Sequence, residues 1–556
     1  MTDRLSAQRY DVIIMGGGLA GLCLALQLRK SLPALDILIV ERRRHPVAAA
    51  THKVGESTVE IAANYFDTVL GLKDHLVSKQ LKKFGFRFFF SDGREDVDRV
   101  TEIGASHYLS TPSYQLDRGI FENFLGEAVR RDGIDFRDDA IIRQFELRPG
   151  PDEHSITYQR GNEQHTATAR WLIDATGRAE LIKRRLGLGQ ENGHDANAVW
   201  FRIGARITID EWSDDPAWRN RCTPPARWLS TNHLVGDGYW AWLIPLSSGS
   251  HSVGIVADSR IHPSTSLDSF EKVLTWLDKH QPRLARELRD KQDLLQDFKY
   301  LRSFSYGCKQ IFSEDRWALS GESGVFLDPF YSPGSDFIAI ANTYITDLIA
   351  RDHSGQSIGA LTRVYERFFN SFYESTLSLY KNQYTMFGNL AVFPLKIIWD
   401  YTYYWGILCQ LFFQRKLTDI GALSSVSGEL ERCKALNFAM QAFLNDWSKV
   451  GNADNLPMMI DHASLDWFAE LNRGLRDELD DVEFVQRIAA SSKRLQMLAL
   501  EMVTHAQSKH IELDSTGISR IIDATLSESD AASMLAWLPV PDRTQPRQST
   551  GAHTLQ

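Results

Sequence analysis

Behind the apolar run Tyr10-Asp11-Val12-Ile13-Ile14, the chain continues as Met15-Gly16-Gly17-Gly18-Leu19-Ala20-Gly21 and passes straight into Leu22-Cys23-Leu24-Ala25-Leu26-Gln27-Leu28. Strand, glycine turn and helix in that order leave few folds open. Each of Gly16, Gly18 and Gly21 has its own reason to lack a side chain. The first permits the tight turn, the second lets backbone approach a pyrophosphate, and the third lets helix and strand pack closely. The helix start then offers N–H groups and a positive dipole end to phosphates. A second run, Ile37-Leu38-Ile39-Val40, ends in Glu41, twenty positions after Gly21, where a carboxylate can hold a ribose hydroxyl pair. Arg42 beside it is a further cofactor-binding candidate. Residues 8–45 therefore read as a βαβ unit for an adenine dinucleotide, and the fold class as α/β.

A chain of 556 residues with 43% hydrophobic and 24% charged content is an ordinary globular protein of two to four domains, or one large enzyme with insertions. The net charge of −9 is spread with mixed sign and without a basic block, which speaks against a nucleic-acid partner. Cys23, Cys222, Cys308, Cys409 and Cys433 are far apart and form no C-x-x-C pair. No metal site is expected, and a reducing cytoplasm fits. The start, Met-Thr-Asp-Arg-Leu-Ser, lacks a signal-peptide layout. Ala391 to Phe413 is rich in aromatic and aliphatic residues, but Pro394, Lys396, Asp400 and Gln410 interrupt it. It reads as a buried helix or an apolar substrate wall in preference to a membrane-surface helix.

The apolar spacing predicts a helix and connection over 54–80, a strand from Phe84 to Phe90, and a helix from Gln115 to Arg130. Ile156–Arg160 and Ala167–Ile173 are expected to form a small sheet. The expected units are a nucleotide-binding domain over 1–195 with insertion strands near 84–110, and an antiparallel substrate-side sheet over 196–306. Residues 307–350 return to the first domain, 351–540 form a helical C-terminal cap, and 541–556 form a disordered tail.

Three further pieces narrow the dinucleotide. Trp171-Leu172-Ile173-Asp174-Ala175-Thr176-Gly177-Arg178 resembles the second nucleotide-contacting turn of FAD enzymes of the glutathione-reductase and hydroxybenzoate-hydroxylase class, which makes Asp174 and Gly177 cofactor candidates. Trp317-Ala318-Leu319-Ser320-Gly321-Glu322, continuing to Asp328-Pro329, resembles that class's late flavin motif. Glu322 is longer than the usual acid after the glycine. Arg118, after Asp117, resembles the arginine that holds the flavin side chain or phosphates. No second glycine fingerprint follows, so the resemblance implies FAD supplied already reduced, by a separate flavin reductase.

Tyr239-Trp240-Ala241-Trp242-Leu243-Ile244-Pro245 carries W-x-W-x-I-P and resembles the signature of the flavin-dependent halogenases. On a strand, Trp240, Trp242 and Ile244 share one face and would form a rigid wall between flavin and substrate. Lys53-Val54-Gly55-Glu56-Ser57-Thr58 resembles the family's turn beside the flavin and brings in Ser57. Asp328-Pro329-Phe330-Tyr331-Ser332-Pro333-Gly334 resembles its halide-side loop, which makes Gly334 and Ser335 halide candidates. The named motifs span residues 8–345 and resemble most the branch that acts on phenolic and polyketide-like substrates.

Lys83-Phe84-Gly85 matches the K-x-G of that branch, and Lys83 is the key catalytic candidate. Strand alternation would put Lys83 and Gly85 on one face and Phe84, Phe86, Phe88 and Phe90 on the other. A desolvated amine there can hydrogen-bond hypohalous acid or become a haloamine. Two departures stand out. Pro333 occupies a halide-loop position and has no N–H to offer an anion. Tyr331 stands where members that act on tryptophan carry a glutamate, which points to a phenol in preference to an indole. The resemblance implies an FAD-dependent halogenase using O2 and chloride or bromide on a free or carrier-protein-bound aromatic. The alternative is an FAD-dependent monooxygenase or dehydrogenase on a large apolar substrate, for which Pro333 is the best support.

Overall fold

The computed structural model describes residues 8–48, 55–523, 526 and 534–535. Lys53, Val54 and the 541–556 tail lie outside them. The strand Gln8–Met15 is the pivot of the first sheet. It pairs in parallel with Ile37–Val40 on one side and with Glu163–Asp174 on the other, and the latter pairs in parallel with Trp317–Leu319. The register sets Met15 beside both Val40 and Asp174, and Asp174 beside Leu319. Four strands thus end along one edge, and the chain leaves each through a turn. In a parallel sheet that edge is where ligands bind. The helix Leu19–Ser31 is buried over most of its length and packs against the helices Arg118–Arg131 and Gly334–His353. Ile37–Val40, Trp317–Leu319 and the C-terminal parts of Gln8–Met15 and Glu163–Asp174 are buried, mostly apolar runs, as covering on both faces demands.

The second sheet has the order Leu295–Leu301, Ala196–Ile203, His251–Asp258, Tyr239–Pro245, Thr231–Gly236, Phe86–Phe89, Glu102–Gly104, Met459–Asp461. Its two faces are easily told apart along Tyr239–Pro245. Trp240, Trp242 and Ile244 join the core shared with the first sheet and the C-terminal helices. Tyr239, Ala241 and Leu243 join a separate core, covered by the helices Phe270–His280 and Pro282–Arg289.

Several expectations need correction. His154–Arg160 and Glu163–Asp174 are not a separate small sheet. They extend the nucleotide sheet, because Glu163–Asp174 is long enough to pair first with its antiparallel neighbour and then with Gln8–Met15. The expected antiparallel sheet over 196–306 takes its far edge from Phe86–Phe89, Glu102–Gly104 and Met459–Asp461, and two of its pairings are parallel. The expected strand Phe84–Phe90 shortens to Phe86–Phe89, and the helix expected from Gln115 begins at Arg118, capped by Asp117. The aromatic segment is a buried helix, Phe393–Tyr403, continued through a π-helical turn at Tyr404–Leu408. No helix among the described residues is long and apolar enough to cross a membrane.

Candidate functional site

A cavity of about 710 Å³ opens at the shared strand edge of the first sheet and reaches the tryptophan face of the second. That is within the range of a cofactor site. Its glycines fit an adenine dinucleotide. Gly16 has φ +109°, and a Cβ there would lie 2.3 Å from the Ala175 carbonyl oxygen. A Cβ on Gly21 would lie 2.1 Å from the Gly16 carbonyl oxygen. Neither residue borders the cavity, and both serve close packing. Gly18 does border it, and a Cβ there would meet no protein atom within 4 Å. Space is therefore kept open where a pyrophosphate would approach the first-turn amides of Leu19–Ser31, which have no partner within their helix. The indole N–H of Trp200 is buried on the same cavity without a protein acceptor.

Glu41, Arg42, Ser57, Arg118, Gly177, Glu322, Asp328 and Pro329 all border this cavity. Glu41 accepts from the Gly17 amide at 2.7 Å and from the Arg43 amide at 2.8 Å, so it also ties strand end to glycine turn. Arg118 bonds Glu122 at 2.6 Å, and burial lowers its pKa. Glu322 pairs with Arg178 at 3.2 Å, which joins the two turns that follow adjacent strands. Asp174 is a correction. It is fully buried and accepts from the Thr176 hydroxyl at 2.6 Å, the Thr176 amide at 3.0 Å and the Ile182 amide at 2.7 Å. It builds the turn that presents Gly177 and does not border the cavity.

Trp240 and Trp242 stand 5.4 Å apart, tilted by 37°, both buried on the cavity. The Trp240 indole donates to the Tyr384 hydroxyl at 3.0 Å. That hydroxyl donates to Asp328, which also takes His194 at 2.8 Å. Trp242 lies over its register partner Gly254, where a Cβ would come within 2.1 Å of the indole. Gly254→Ala should therefore push Trp242 toward the cavity at a cost of about 1–3 kcal/mol. A lowered melting temperature, together with weaker flavin binding, is the expected result. Unchanged values for both would show that the indole is free to yield.

Lys83 lies between the short ladder strand Leu81–Lys82 and Phe86–Phe89. Its amide donates to the Ser113 carbonyl at 2.9 Å. The expected alternation breaks at Gly85, whose φ of +69° turns the chain between the two strands. The side chain is nonetheless buried, with 3% exposure. Its Nζ donates to the Ser57 hydroxyl and the Thr58 carbonyl, each at 2.9 Å, and lies 3.3 Å from the centre of the Phe86 ring. Burial pulls its pKa down to about 7, against the opposing pull of Glu60 and Asp336. Ser57 borders the large cavity. Phe86 borders a second one of about 50 Å³, lined also by Tyr331, Asp336, Asp400 and Tyr401. The amine therefore stands in the partition between two compartments, though it borders neither directly.

Pro333 borders both compartments and caps the helix Gly334–His353. Tyr331 and Ser332 before it are left-handed, with φ of +64° and +55°, a conformation non-glycine residues rarely take. Tyr331 is held there by a bond to Asp400 at 3.0 Å, and Asp400 in turn pairs with Lys396 at 2.9 Å. The amides of Gly334 and Ser335 lead the helix at the cavity wall. Sequence reasoning missed Glu60, Asp336, Tyr384 and His194. Glu60 and Asp336 did leave a signal, as lone acids inside apolar helical stretches.

Comparison with known proteins adds two family models. The model described as tryptophan halogenase matches residues 102–389, over half of the chain, and an NAD(P)-binding Rossmann-like domain matches 14–78. The chain is similar to the flavin-dependent halogenase chlA of Dictyostelium discoideum, 27% identical over 439 residues, covering 72% of this chain and 70% of that one. It is similar to the tetracycline 7-halogenase of Kitasatospora aureofaciens, 27% identical over 371 residues, with 60% and 63% covered. Its fold is like that of the halogenase PltM, solved with phloroglucinol and FAD, at a TM-score of 0.63 and 18% identity over 92% of this chain and 99% of the other.

Proposed function

This chain belongs to the tryptophan halogenase family and is an FAD-dependent halogenase, and from that premise we propose that it halogenates an electron-rich phenolic or polyketide-like aromatic, with Lys83 as the catalytic amine. The observation that carries this reading is the position of Lys83: buried, bonded to the wall of the cofactor cavity through Ser57, and set over the ring of Phe86 on the aromatic side. Gly18, Glu41, Arg42, Arg118, Gly177 and Glu322 would hold FAD. When bound in reduced form, FAD supplies the electrons with which O2 and halide yield hypohalous acid. The Gly334 and Ser335 amides would hold the halide, Pro333 having no N–H to share in it. Trp240 and Trp242 would keep the organic substrate away from the oxygen chemistry, so that only the small oxidant passes. Lys83 would hydrogen-bond that oxidant and aim its halogen at ring carbon.

The phenol preference rests on Tyr331. Tyr331 carries no carboxylate of its own, and the neighbouring Asp400 is already taken up by the Tyr331 hydroxyl at 3.0 Å, Lys396 at 2.9 Å and the Gln441 side chain at 2.7 Å, so a ring that supplies its own activation fits this place better than an indole. A cavity of about 50 Å³ holds a few waters and no ring, so substrate entry would need side chains such as Tyr331 to turn aside. A separate flavin reductase would deliver the reduced cofactor, and the aromatic could arrive free or on a carrier protein.

The test supplies reduced FAD, O2 and chloride or bromide with a panel of phenols, indoles and pyrroles, and reads product masses. Halogenated phenols with tryptophan untouched are expected. Halogenated tryptophan with inert phenols would overturn the substrate assignment.

A further inference from the structure

Two carboxylates border the small aromatic compartment, Asp336 and Asp400. Asp336 is held by the Ala62 amide at 2.9 Å and the Tyr404 hydroxyl at 2.7 Å, both from packed helical segments. Asp400 is held differently. Its own helix supplies Lys396 one turn earlier, at 2.9 Å, and the helix Ser427–Val450 supplies the Gln441 side-chain amide at 2.7 Å. Lys396 also donates to the Gln441 side-chain oxygen at 2.6 Å, which closes a ring of three bonded groups. The lysine and aspartate side chains are 0% and 3% exposed. A charge pair so deep in a buried helix adds little stability, because desolvation offsets the Coulomb gain. What it does supply is a carboxylate fixed at the wall of a compartment.

The remaining bond to that carboxylate comes from outside these two helices. The Tyr331 hydroxyl donates to Asp400 at 3.0 Å from the loop before Gly334–His353, where Tyr331 and Ser332 both have left-handed backbones. The Tyr331 ring lies against Phe86 and Tyr401, with ring centres 5.9 and 6.2 Å away, and Phe86 is the ring that carries the Lys83 amine. The compartment thus already holds a phenol, and it is the chain's own. Aromatic side chains flank its ring, a buried carboxylate receives its hydroxyl, and its backbone conformation costs free energy to keep.

We propose that Asp400 reads the hydroxyl of a phenolic substrate, and that Tyr331 fills this seat until the substrate takes it. This rests on the phenol reading above. The exchange trades one hydroxyl donor for another on the same carboxylate, which therefore keeps its full set of partners. The side chain that leaves vacates the space of one phenol ring. Lys396 and Gln441 are positioning residues that hold Asp400 in place throughout. A methyl ether has no proton to donate. To enter, it must break the Tyr331 bond and leave the carboxylate short of a donor.

The probes are a phenol that is halogenated in the substrate panel and its methyl ether, with Kd measured by calorimetry on the FAD-loaded protein. The wild type should bind the phenol at least about 10-fold more tightly than the ether. Asp400→Asn offers only a neutral acceptor, and that ratio should fall toward one. Should this variant fail to fold, because it leaves the Lys396 ammonium buried without its carboxylate, Asp400→Leu with Lys396→Met removes both charges together and carries the test. Tyr331→Phe separates the seat from the reader. It deletes the competing hydroxyl, so phenol and ether should both bind about 10-fold more tightly with the ratio between them kept. A merely structural role would weaken both ligands alike and leave the ratio where it was. A ratio near one in the wild type, or one unmoved in folded Asp400 variants, would overturn the assignment and leave the phenol reading standing on its halogenated products. Unimproved binding in Tyr331→Phe would overturn the part given to Tyr331. A panel in which no phenol is halogenated would overturn both readings.

Discussion

Lys83→Ala protein is expected to bind FAD normally and to keep oxidising reduced flavin, yet to yield at least about 100-fold less halogenated product, the range in which a positioned proton-handling group acts. The two effects separate because Lys83 touches the cofactor compartment only through Ser57. Ser57 keeps its bond to Thr231 at 3.0 Å without the lysine. Thr231 in turn accepts from the Gln115 amide at 2.9 Å, so the wall of the cavity is tied down on its far side. What the alanine variant lacks is the donor over Phe86. Hypohalous acid would then leave unguided and be consumed by whatever side chain it meets. Oxygen consumption and product mass, followed in the same reaction, give the answer. Lys83→Met, which keeps most of the volume, should behave like the alanine variant, showing that the loss follows the amine and not a cavity. Retained halogenation in the methionine variant would remove Lys83 from the mechanism.

How much of this site could be read beforehand depends on the distance over which each residue finds its partners. The glycine turn is legible because strand, Gly16, Gly18, Gly21 and helix follow one another, even though the atom that excludes a side chain at Gly16 is the distant Ala175 carbonyl oxygen. The tryptophan wall is local, because a strand's alternation places Trp240, Trp242 and Ile244 together whatever lies opposite. Lys83 was legible as a residue but not as a geometry. Alternation assumes an unbroken strand, and Gly85 turns the chain in a left-handed conformation that nothing in K-x-G specifies. Asp174 was misread because a carboxylate at a strand end serves equally well to receive backbone amides or a ligand. The choice is made by Thr176 and Ile182 a turn later. Glu60 and Asp336 lie 276 positions apart in sequence, and only the folded chain ties Asp336 to the Ala62 amide in the helix that Glu60 begins. Long-range strand pairing behaves the same way. Glu102–Gly104 against Met459–Asp461 has no signature in either segment.

Gly16→Ala and Gly18→Ala should fail for different reasons, and that difference tests the cofactor site itself. At Gly16 the backbone is left-handed, at φ +109°, and the added carbon would sit 2.3 Å from the Ala175 carbonyl oxygen. That carbonyl cannot retreat cheaply, because the Ala175 amide is tied to the Met15 carbonyl at 2.8 Å within the parallel ladder. The strained conformation alone costs about 1–2 kcal/mol, and the clash adds to it. Gly16→Ala protein should therefore melt at a lower temperature even without flavin. It should also bind FAD at least about 100-fold more weakly, which corresponds to about 2.7 kcal/mol. Gly18 is different: its φ of −87° suits any residue, and no protein atom lies within 4 Å of an added carbon. Flavin-free Gly18→Ala should melt like the wild type and lose affinity only when FAD is added, because the methyl group takes the place of a pyrophosphate against the backbone. Thermal unfolding without flavin, paired with flavin fluorescence titration, distinguishes the two. If Gly18→Ala bound FAD as tightly as the wild type, the pyrophosphate would have to lie elsewhere, and the cavity at the strand edge would lose its assignment.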